Sequence, residues 1–98
     1  MAILLTSTDF SFYEIDEELK ENFKSMSWED LSDYHAECLK WVGNAIRPVD
    51  SQWFWSGSAY CWYDKTQTHE YRVWQTVNGN LMYEDCTNDK LYKVGFNR

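Results

Sequence analysis

The sequence has little proline or glycine, with one and four residues respectively in a chain of 98. This scarcity excludes collagen-like chains and disordered chains rich in proline and glycine. No apolar run approaches the roughly 20 residues that a membrane-crossing helix requires. Residues 1–5 have no basic flank and only a short apolar stretch, so we expect a first β-strand there rather than a signal peptide. These absences predict a folded, cytoplasmic protein.

Cysteine motifs are also missing. Cys38, Cys61 and Cys86 are widely spaced, and we expect them to be small buried hydrophobic groups rather than members of a disulfide framework. His35-Ala36-Glu37 matches the H-x-E part of the zinc deaminase signature, but the P-C-x-x-C part is absent. The sequence also lacks a glycine-rich phosphate loop and G-x-S-x-G. We therefore expect no enzyme, no metal and no cofactor; a zinc- or thiol-dependent enzyme using His35 and the three cysteines is an alternative.

Basic residues are outnumbered by acidic ones, nine to sixteen, which gives a formal net charge of −7. Residues 1–48 hold ten acids and four bases, and residues 49–98 hold six and five, so the acidity lies mainly in the first half. A phosphate backbone would be repelled, which argues against direct nucleic-acid binding. A basic protein surface would be attracted.

The pattern predicts a single domain with a helical half at about residues 9–47 and a β half at about residues 52–96, divided near Pro48. Ser11 precedes a predicted helix over 12–25, and Ser27 precedes a second helix that ends at Pro48. The predicted apolar stripes are Ile15, Leu19, Phe23 and Met26 in the first helix, and Leu31, Tyr34, Cys38, Trp41 or Val42, and Ala45 in the second. A short turn at 25–27 would make them an αα-hairpin.

After Pro48 the apolar period changes to two, which predicts strands over 60–64, 69–77, 80–86 and 90–96. Asn78-Gly79 predicts a two-residue type I′ turn, which would place Trp74 opposite Tyr83 and Arg72 opposite Asp85. The predicted fold is α+β: an N-terminal strand and a two-helix hairpin packed on an antiparallel meander of three to four strands. Both sheet faces carry large apolar groups, so one face would need another cover or stay partly exposed.

Two groups of side chains are candidates for contacting a partner. The aromatic anchors are Trp53, Phe54, Trp55, Tyr60, Trp62 and Tyr63. The acidic helical face comprises Asp16, Glu17, Glu21, Glu29, Asp33 and Glu37. In its small, acidic, aromatic-rich composition the chain is similar to phage anti-defence and toxin-immunity proteins.

These features predict a protein-binding inhibitor that blocks a basic macromolecular partner, such as a nucleic-acid enzyme or a toxin. One version of this prediction is that the acidic face mimics a nucleic acid. We expect no direct contact with nucleic acid or membrane, and a monomer or small homo-oligomer. A structural protein that self-associates through an uncovered sheet face is a further alternative.

Overall fold

A computed structural model describes residues 3–6, 10–48, 50–64, 66 and 68–96. The strands are β1 (Ile3–Thr6), β2 (Phe10–Glu14), β3 (Gln52–Trp55), β4 (Tyr60–Tyr63), β5 (Glu70–Gln75), β6 (Leu81–Asp85) and β7 (Lys90–Phe96). The helices are α1 (Lys20–Ser25), preceded by a 3₁₀ turn (Glu17–Leu19), and α2 (Asp33–Ile46). The predicted α+β class is confirmed.

All of these strands belong to one antiparallel sheet in the order β1-β2-β7-β6-β5-β4-β3. Strands β3 to β7 form a meander in which each strand pairs with the next, and the β1–β2 hairpin joins it by pairing β2 with β7. The predicted strands over 60–64, 69–77, 80–86 and 90–96 correspond to β4, β5, β6 and β7. The predicted count of three to four strands is too low, because β2 and β3 add to the sheet as well.

The two helices lie on opposite faces of this sheet. Neighbouring residues of a strand point to opposite faces. Val73 of β5 belongs to a buried cluster with Leu39 of α2, whereas its neighbour Trp74 belongs to a second cluster against which Phe23 of α1 packs. We call these two sides the α2 face and the α1 face.

The chain passes from the α1 face to the α2 face at the end of the β5–β6 hairpin. Ser27 forms an isolated antiparallel bridge with Thr76, and the Trp28 N–H donates to the Gln75 carbonyl at 2.8 Å. The predicted αα-hairpin with a turn at 25–27 is therefore not confirmed. Helical periodicity indicates which side of a helix is apolar, but it does not indicate which sheet face that side covers.

Residues 10–14 form strand β2 rather than the start of the predicted first helix. Phe10 and Phe12 are 1% and 2% exposed and point to the α2 face, so period two governs this segment. Ser11 is not a helix cap, because it is buried and pairs with Gly95 of β7. The three- and four-residue spacing of apolar side chains that is typical of a helix begins only at Ile15. Helix α1 is therefore shorter than predicted.

The N-cap of helix α2 lies five residues after the Ser27 cap expected from the sequence. It is Ser32, whose Oγ accepts a hydrogen bond from the His35 N–H at 3.4 Å. The residues buried against the sheet are Leu39, Val42 and Gly43. The residues left exposed on α2 include Tyr34, Cys38 and Trp41, which the sequence analysis places in the buried stripe. The apolar residues of α2 thus form two stripes, and only one of them packs on the sheet.

The β5–β6 hairpin closes one residue away from the predicted register. The Thr76 N–H donates to the Asn80 carbonyl at 2.9 Å, so the loop contains three residues, 77–79, instead of two. Trp74 consequently pairs with Met82 rather than with Tyr83, its predicted partner. A slip of one residue changes every cross-strand pair of the hairpin.

This slip changes the neighbours of Arg72. The predicted register places Arg72 opposite Asp85, whereas in the structure Arg72 pairs with Glu84. Gly79 explains the longer loop, because its φ of +91° at the last loop position is one that glycine adopts without steric cost. The α1 face of the sheet therefore carries an arginine and a glutamate side by side.

Candidate functional site

A groove of about 450 Å³ runs between α2 and the β5–β6 turn. The side chains that form its walls include Tyr34, His35, Cys38, Trp41, Gln75 and Leu81. We call it the α2 groove. Tyr34, Cys38 and Trp41 follow one another at four- and three-residue steps, so they lie along a single line on the helix surface. That line is the second apolar stripe of α2.

Two aromatic rings of the α2 groove, those of Tyr34 and Trp41, contact another ring on one side and are exposed to solvent on the other. Tyr34 is 74% exposed and Trp41 is 61% exposed. The Trp41 ring meets Phe10 edge-on at 6.1 Å, and the Tyr34 ring meets His35 edge-on at 5.4 Å. His35 in turn lies 4.8 Å from the Trp28 ring. Exposed tryptophan and tyrosine side chains supported in this way are the type that dominates binding energy at protein interfaces.

Carboxylates surround the N-terminal half of α2. The exposed acids on this helix and on the segment before it are Glu29, Asp30, Asp33 and Glu37. No lysine or arginine occurs between Lys24 and Lys40, and Lys40 lies 3.4 Å from Glu37. The α2 groove therefore combines exposed aromatic rings with a local excess of negative charge.

The predicted acidic face is divided between the two sides of the sheet. Asp16, Glu17 and Glu21 belong to the 3₁₀ turn and α1, or lie next to them. The other three predicted acids, Glu29, Asp33 and Glu37, belong to α2 or the segment before it. Because the helices cover opposite faces, the six side chains do not form one surface. Only the α2 set lies beside exposed aromatic rings of the groove.

Tyr60 and Trp62 are in the core and are not available to a partner, contrary to their predicted role as anchors. They are 0% and 2% exposed, because β4 lies inside the sheet and α2 covers that face. The Tyr60 hydroxyl donates to Asn44 Oδ1 at 2.6 Å and accepts from Arg47 Nε at 2.7 Å. The sequence shows that the side chains of β4 alternate between two sides of the strand, but it does not show which side is buried.

The other predicted anchors lie at the β3 edge of the sheet. Trp53 and Phe54 are 44% and 38% exposed and point to opposite faces. Trp55 is half-buried with the Lys40 ammonium 5.3 Å from its ring, and Tyr63 is half-buried and stacks on Phe54 at 5.5 Å. The structure thus leaves Trp53 and Phe54 as the accessible members of the predicted aromatic set.

A second and more polar cavity, of about 320 Å³, lies on the α1 face. Its walls are Lys24 and Ser27 near the end of α1, Ser56, Ser58 and Ala59 around the β3–β4 turn, and Arg72, Trp74 and Glu84 from the sheet. We call it the arginine pocket. The sequence does not predict this pocket, because the predicted register separates Arg72 from Glu84.

Glu84, which lines the arginine pocket, and Glu70, which lies beside it, are already paired. Glu84 Oε1 accepts a hydrogen bond from Trp74 Nε1 at 3.1 Å, and its Oε2 lies 3.3 Å from Lys24 Nζ. Glu70 Oε2 accepts from Arg72 Nη2 at 2.8 Å. Arg72 Nε is buried and has no hydrogen-bond partner within the part of the chain that the structure describes. This nitrogen is shielded from solvent, so it is a buried donor rather than a group exposed in the pocket.

No protein family, curated protein or solved structure matches this chain. Its candidate functions therefore rest on the chemistry of the two surfaces. Within the described ranges, neither helix is long and apolar enough to cross a membrane. The described residues likewise contain no group of three or more histidine, cysteine, aspartate or glutamate side chains placed to hold a metal ion.

The cysteines are distributed over both faces rather than gathered at one site. Cys38 is exposed on α2, whereas Cys61 is buried and Cys86 is half-buried beside Arg72. Burial raises the pKa of Cys61, and burial together with the charge of Glu84 raises the pKa of Cys86 to about 12. Both thiols stay protonated at neutral pH, which does not favour a thiolate nucleophile. The expectation of buried thiols thus fits Cys61 but not Cys38.

Proposed function

We propose that the protein is a small acidic binding protein whose α2 groove docks on a basic macromolecular partner, such as a nucleic-acid enzyme or a toxin, and blocks it. The observation that carries this proposal is the exposed Tyr34 and Trp41 stripe beside the carboxylates of α2. The protein acts by binding rather than by catalysis. A phage anti-defence or toxin-immunity protein would work in this way.

The aromatic stripe supplies affinity. Tyr34 and Trp41 would lose most of their water contact against a partner, and each ring brings a large apolar area at a small entropic cost. The rings are also preorganised by their contacts with Phe10 and His35, so little further ordering is needed on binding.

The carboxylates supply steering and selectivity. Asp33 and Glu37 are one helical turn apart and exposed, so a complementary basic patch would accelerate encounter without being deeply buried. A nucleic-acid-mimic form of this proposal uses the α2 acids alone, since the α1 acids lie across the sheet. Binding should weaken as salt rises, because exposed charge pairs are screened.

A pull-down with matched charge variants tests this proposal. The protein is immobilised and incubated with lysate of its source or host cells at several salt concentrations, and the bound proteins are quantified by mass spectrometry. We expect one stoichiometric partner with a basic surface, lost progressively as salt rises. Asp33→Asn/Glu37→Gln should weaken its capture, whereas Asp16→Asn/Glu21→Gln, which removes the same charge on the other face, should not.

The aromatic contribution is measured on the purified partner. Trp41→Ala should weaken binding by roughly 30-fold or more, as expected for a hot-spot tryptophan. Leu19→Ala, at a 41% exposed apolar position on the other side of the sheet, is the control and should change affinity little. Equal losses in the two variants, or no partner at low salt, would contradict the proposal.

Self-association is a second candidate function, favoured by the β3 edge. Residues 51–63 contain no charged side chain, and β3 is the last strand of the sheet with two exposed aromatic rings. Unprotected edge strands pair readily with another strand. Phe54→Lys should then reduce a concentration-dependent mass in light scattering; a wild-type protein that stays monomeric at high concentration would dismiss this candidate.

A further inference from the structure

Ala45 extends the second apolar stripe of α2 by one more helical turn. The stripe and this residue together form what we call the α2 seam, whose members are all exposed: Tyr34, Cys38, Trp41 and Ala45. They follow one another at steps of four, three and four residues, which is the spacing of the a and d positions through which two helices pack side by side. From its first to its last residue the α2 seam is about 16 Å long, or about three helical turns.

Large and small side chains alternate along the α2 seam. Tyr34 and Trp41 project exposed rings, whereas the short side chains of Cys38 and Ala45 leave space beside them. The space at Cys38 opens into the α2 groove, whose opposite wall includes Leu81 of β6. A facing helix places its own large apolar side chains in such spaces. The groove volume of about 450 Å³ accommodates a few of these side chains, so the backbone of the partner helix would lie outside it.

An extended segment of a partner would bind the α2 groove poorly. Strands β5 and β6 are each hydrogen-bonded on both sides, and the edge strands of the sheet, β1 and β3, lie elsewhere. The β5–β6 turn is also bonded internally, because the Gly79 N–H donates to the Thr76 carbonyl at 3.0 Å and the Thr76 N–H donates to the Asn80 carbonyl at 2.9 Å. An extended segment would lose water from its backbone groups without gaining these partners, whereas a helix satisfies its own backbone hydrogen bonds.

The charges beside the α2 seam indicate the charge of the partner helix. Glu37 lines the groove, and Asp33 is exposed one helical turn before it. Lys40 lies on the other side of α2, where its ammonium is 5.3 Å from the Trp55 ring. A second copy of α2 would bring the same acids to this surface instead of basic residues, and like charges that meet across an interface weaken it. The charges therefore favour a basic helix from a different protein.

We propose that the α2 groove binds a basic amphipathic α-helix of the partner, which packs side by side with α2 along the α2 seam. This inference rests on the proposed function, in that the helix belongs to the basic protein on which the groove docks. Its apolar side chains enter between Tyr34 and Trp41, and its lysine or arginine side chains flank Glu37. A partner helix of about 12 residues covers the length of the seam.

Titrations with synthetic peptides, followed by NMR, test the nature of the occupant. The probe is a peptide of three heptads with leucine at a and d and lysine at the adjoining e and g positions. One matched peptide carries glutamate at e and g, and another has the composition of the probe in an order without heptad periodicity. We expect the lysine peptide to shift the amides of residues 33–45 and 75–81 saturably and to become helical on binding. The two matched peptides should bind roughly tenfold or more weakly.

Equal binding of the three peptides, or a bound lysine peptide that is not helical, would overturn the inference. The same holds for a wild-type protein that dimerises in light scattering and becomes monomeric on Trp41→Ala, because a second copy would then be the occupant.

Two variants test whether the bound helix follows the α2 seam. Cys38→Gln fills the space between the two rings with a longer polar side chain, and it should weaken binding of the lysine peptide by roughly tenfold or more. Ala45→Gln changes the seam one turn beyond Trp41, and it should weaken binding by roughly threefold or more, because a helix packed along the seam reaches this position. Glu21→Gln, at an exposed position of α1 on the other face, is the control and should leave the affinity unchanged. An unchanged affinity in Ala45→Gln would contradict packing along the seam.

The failure of this inference is distinguishable from the failure of the proposed function. Hydrogen exchange of the captured partner, with and without the protein, identifies the segment that the protein protects. A partner whose capture depends on Asp33 and Glu37, but whose protected segment is a strand or a loop, would leave the proposed function standing and overturn the inference. A lysine peptide that binds along the α2 seam, while lysate yields no partner, would support the preference for a basic helix and contradict the proposed function alone.

Discussion

Gly43 illustrates how a single residue fixes the position of α2. It lies in the last turn of the helix, and its backbone rests against the ring of Tyr60, which is fully buried. A Cβ added at Gly43 would lie 2.5 Å from Cγ and 2.6 Å from Cε1 of that ring. The ring cannot move aside easily, because Trp53 stacks on it at 4.8 Å and Asn44 holds its hydroxyl.

We predict that Gly43→Ala destabilises the protein, although alanine is the better helix former. Helix propensity alone would stabilise by about 1 kcal/mol, whereas overpacking against a fixed ring costs roughly 1–3 kcal/mol or more. The free energy of unfolding, measured by urea titration, should therefore fall. Ala45→Gly, at an exposed position of the same helix, is the control for propensity and should cost about 1 kcal/mol. A more stable Gly43→Ala protein would show that the helix shifts freely on the sheet.

Arg72 shows the limit of sequence interpretation for single side chains. The sequence places an arginine in a β-strand and predicts its cross-strand partner from the turn. The predicted turn at Asn78-Gly79 is present in the structure, but it contains one more residue than the dipeptide suggests. The choice between a two-residue and a three-residue loop depends on the Thr76–Asn80 hydrogen bonds, which a sequence pattern does not reveal.

Among the connecting elements, the β4–β5 connection is organised around Asp64. The carboxylate accepts hydrogen bonds from the backbone N–H groups of Thr68 and His69, at 3.0 and 3.3 Å, and from the Thr66 hydroxyl at 3.0 Å. Burial acts to raise the pKa of Asp64, but these hydrogen bonds outweigh it and hold the pKa at about 2. The ionised carboxylate is therefore the form that the folded connection favours.

Acid should therefore weaken this connection. Because the folded pKa of Asp64 is below its ordinary value of 3.8, its stabilising contribution is complete above about pH 4 and is lost as the pH falls toward 2. We predict that the unfolding free energy of the wild type falls more steeply over this range than that of Asp64→Asn, as measured by urea titration at each pH. Asp16→Asn, at an exposed site without a side-chain cap hydrogen bond, should retain the wild-type slope. Parallel curves for wild type and Asp64→Asn would rule out this role.

The helices and strands that the sequence predicts correctly are those whose sequence signals lie within a few residues of each other. Strands β4 to β7 follow from period two and turn residues within a few positions, and they were found. The sequence predicts a helix where β2 lies, because Ser11 and Glu14 have the spacing of a capping box. The alternation of Phe10 and Phe12 was the competing signal, and burial of both rings under α2 decided the outcome.

At the scale of the whole molecule, the sheet combines a local meander with one long-range pairing. Strands β3 to β7 each pair with a neighbour in sequence, whereas β2 reaches β7 from the other end of the chain. Which face each helix covers depends on this arrangement, and no periodicity in the sequence encodes it. For the same reason the sequence predicted a single acidic face, where the structure has two separated sets of carboxylates.

The same topology predicts the order of folding events. Pairing between sequence neighbours has a small loop-closure cost, and pairing of β2 with β7 has a large one, so we expect the meander to form first. Val73 lies in the meander on β5, paired with Tyr60 and Tyr83. Val94 lies on β7 beyond the residues that pair with β6, and its cross-strand partner is Phe12 of β2. Both valines are buried, at 0% and 5% exposure, so replacing each by alanine should cost a similar amount, about 2 kcal/mol.

The two valine variants should divide this cost differently between folding and unfolding rates. Val73→Ala should mainly slow folding, because its contacts are already made in the transition state, whereas Val94→Ala should mainly accelerate unfolding. Stopped-flow measurements of both rates across a urea series give the two φ-values directly. A φ-value for Val94 equal to or above that for Val73 would mean that the β1–β2 hairpin docks before the meander is complete. In that case the N-terminal strands would be part of the folding nucleus rather than a late addition to the sheet.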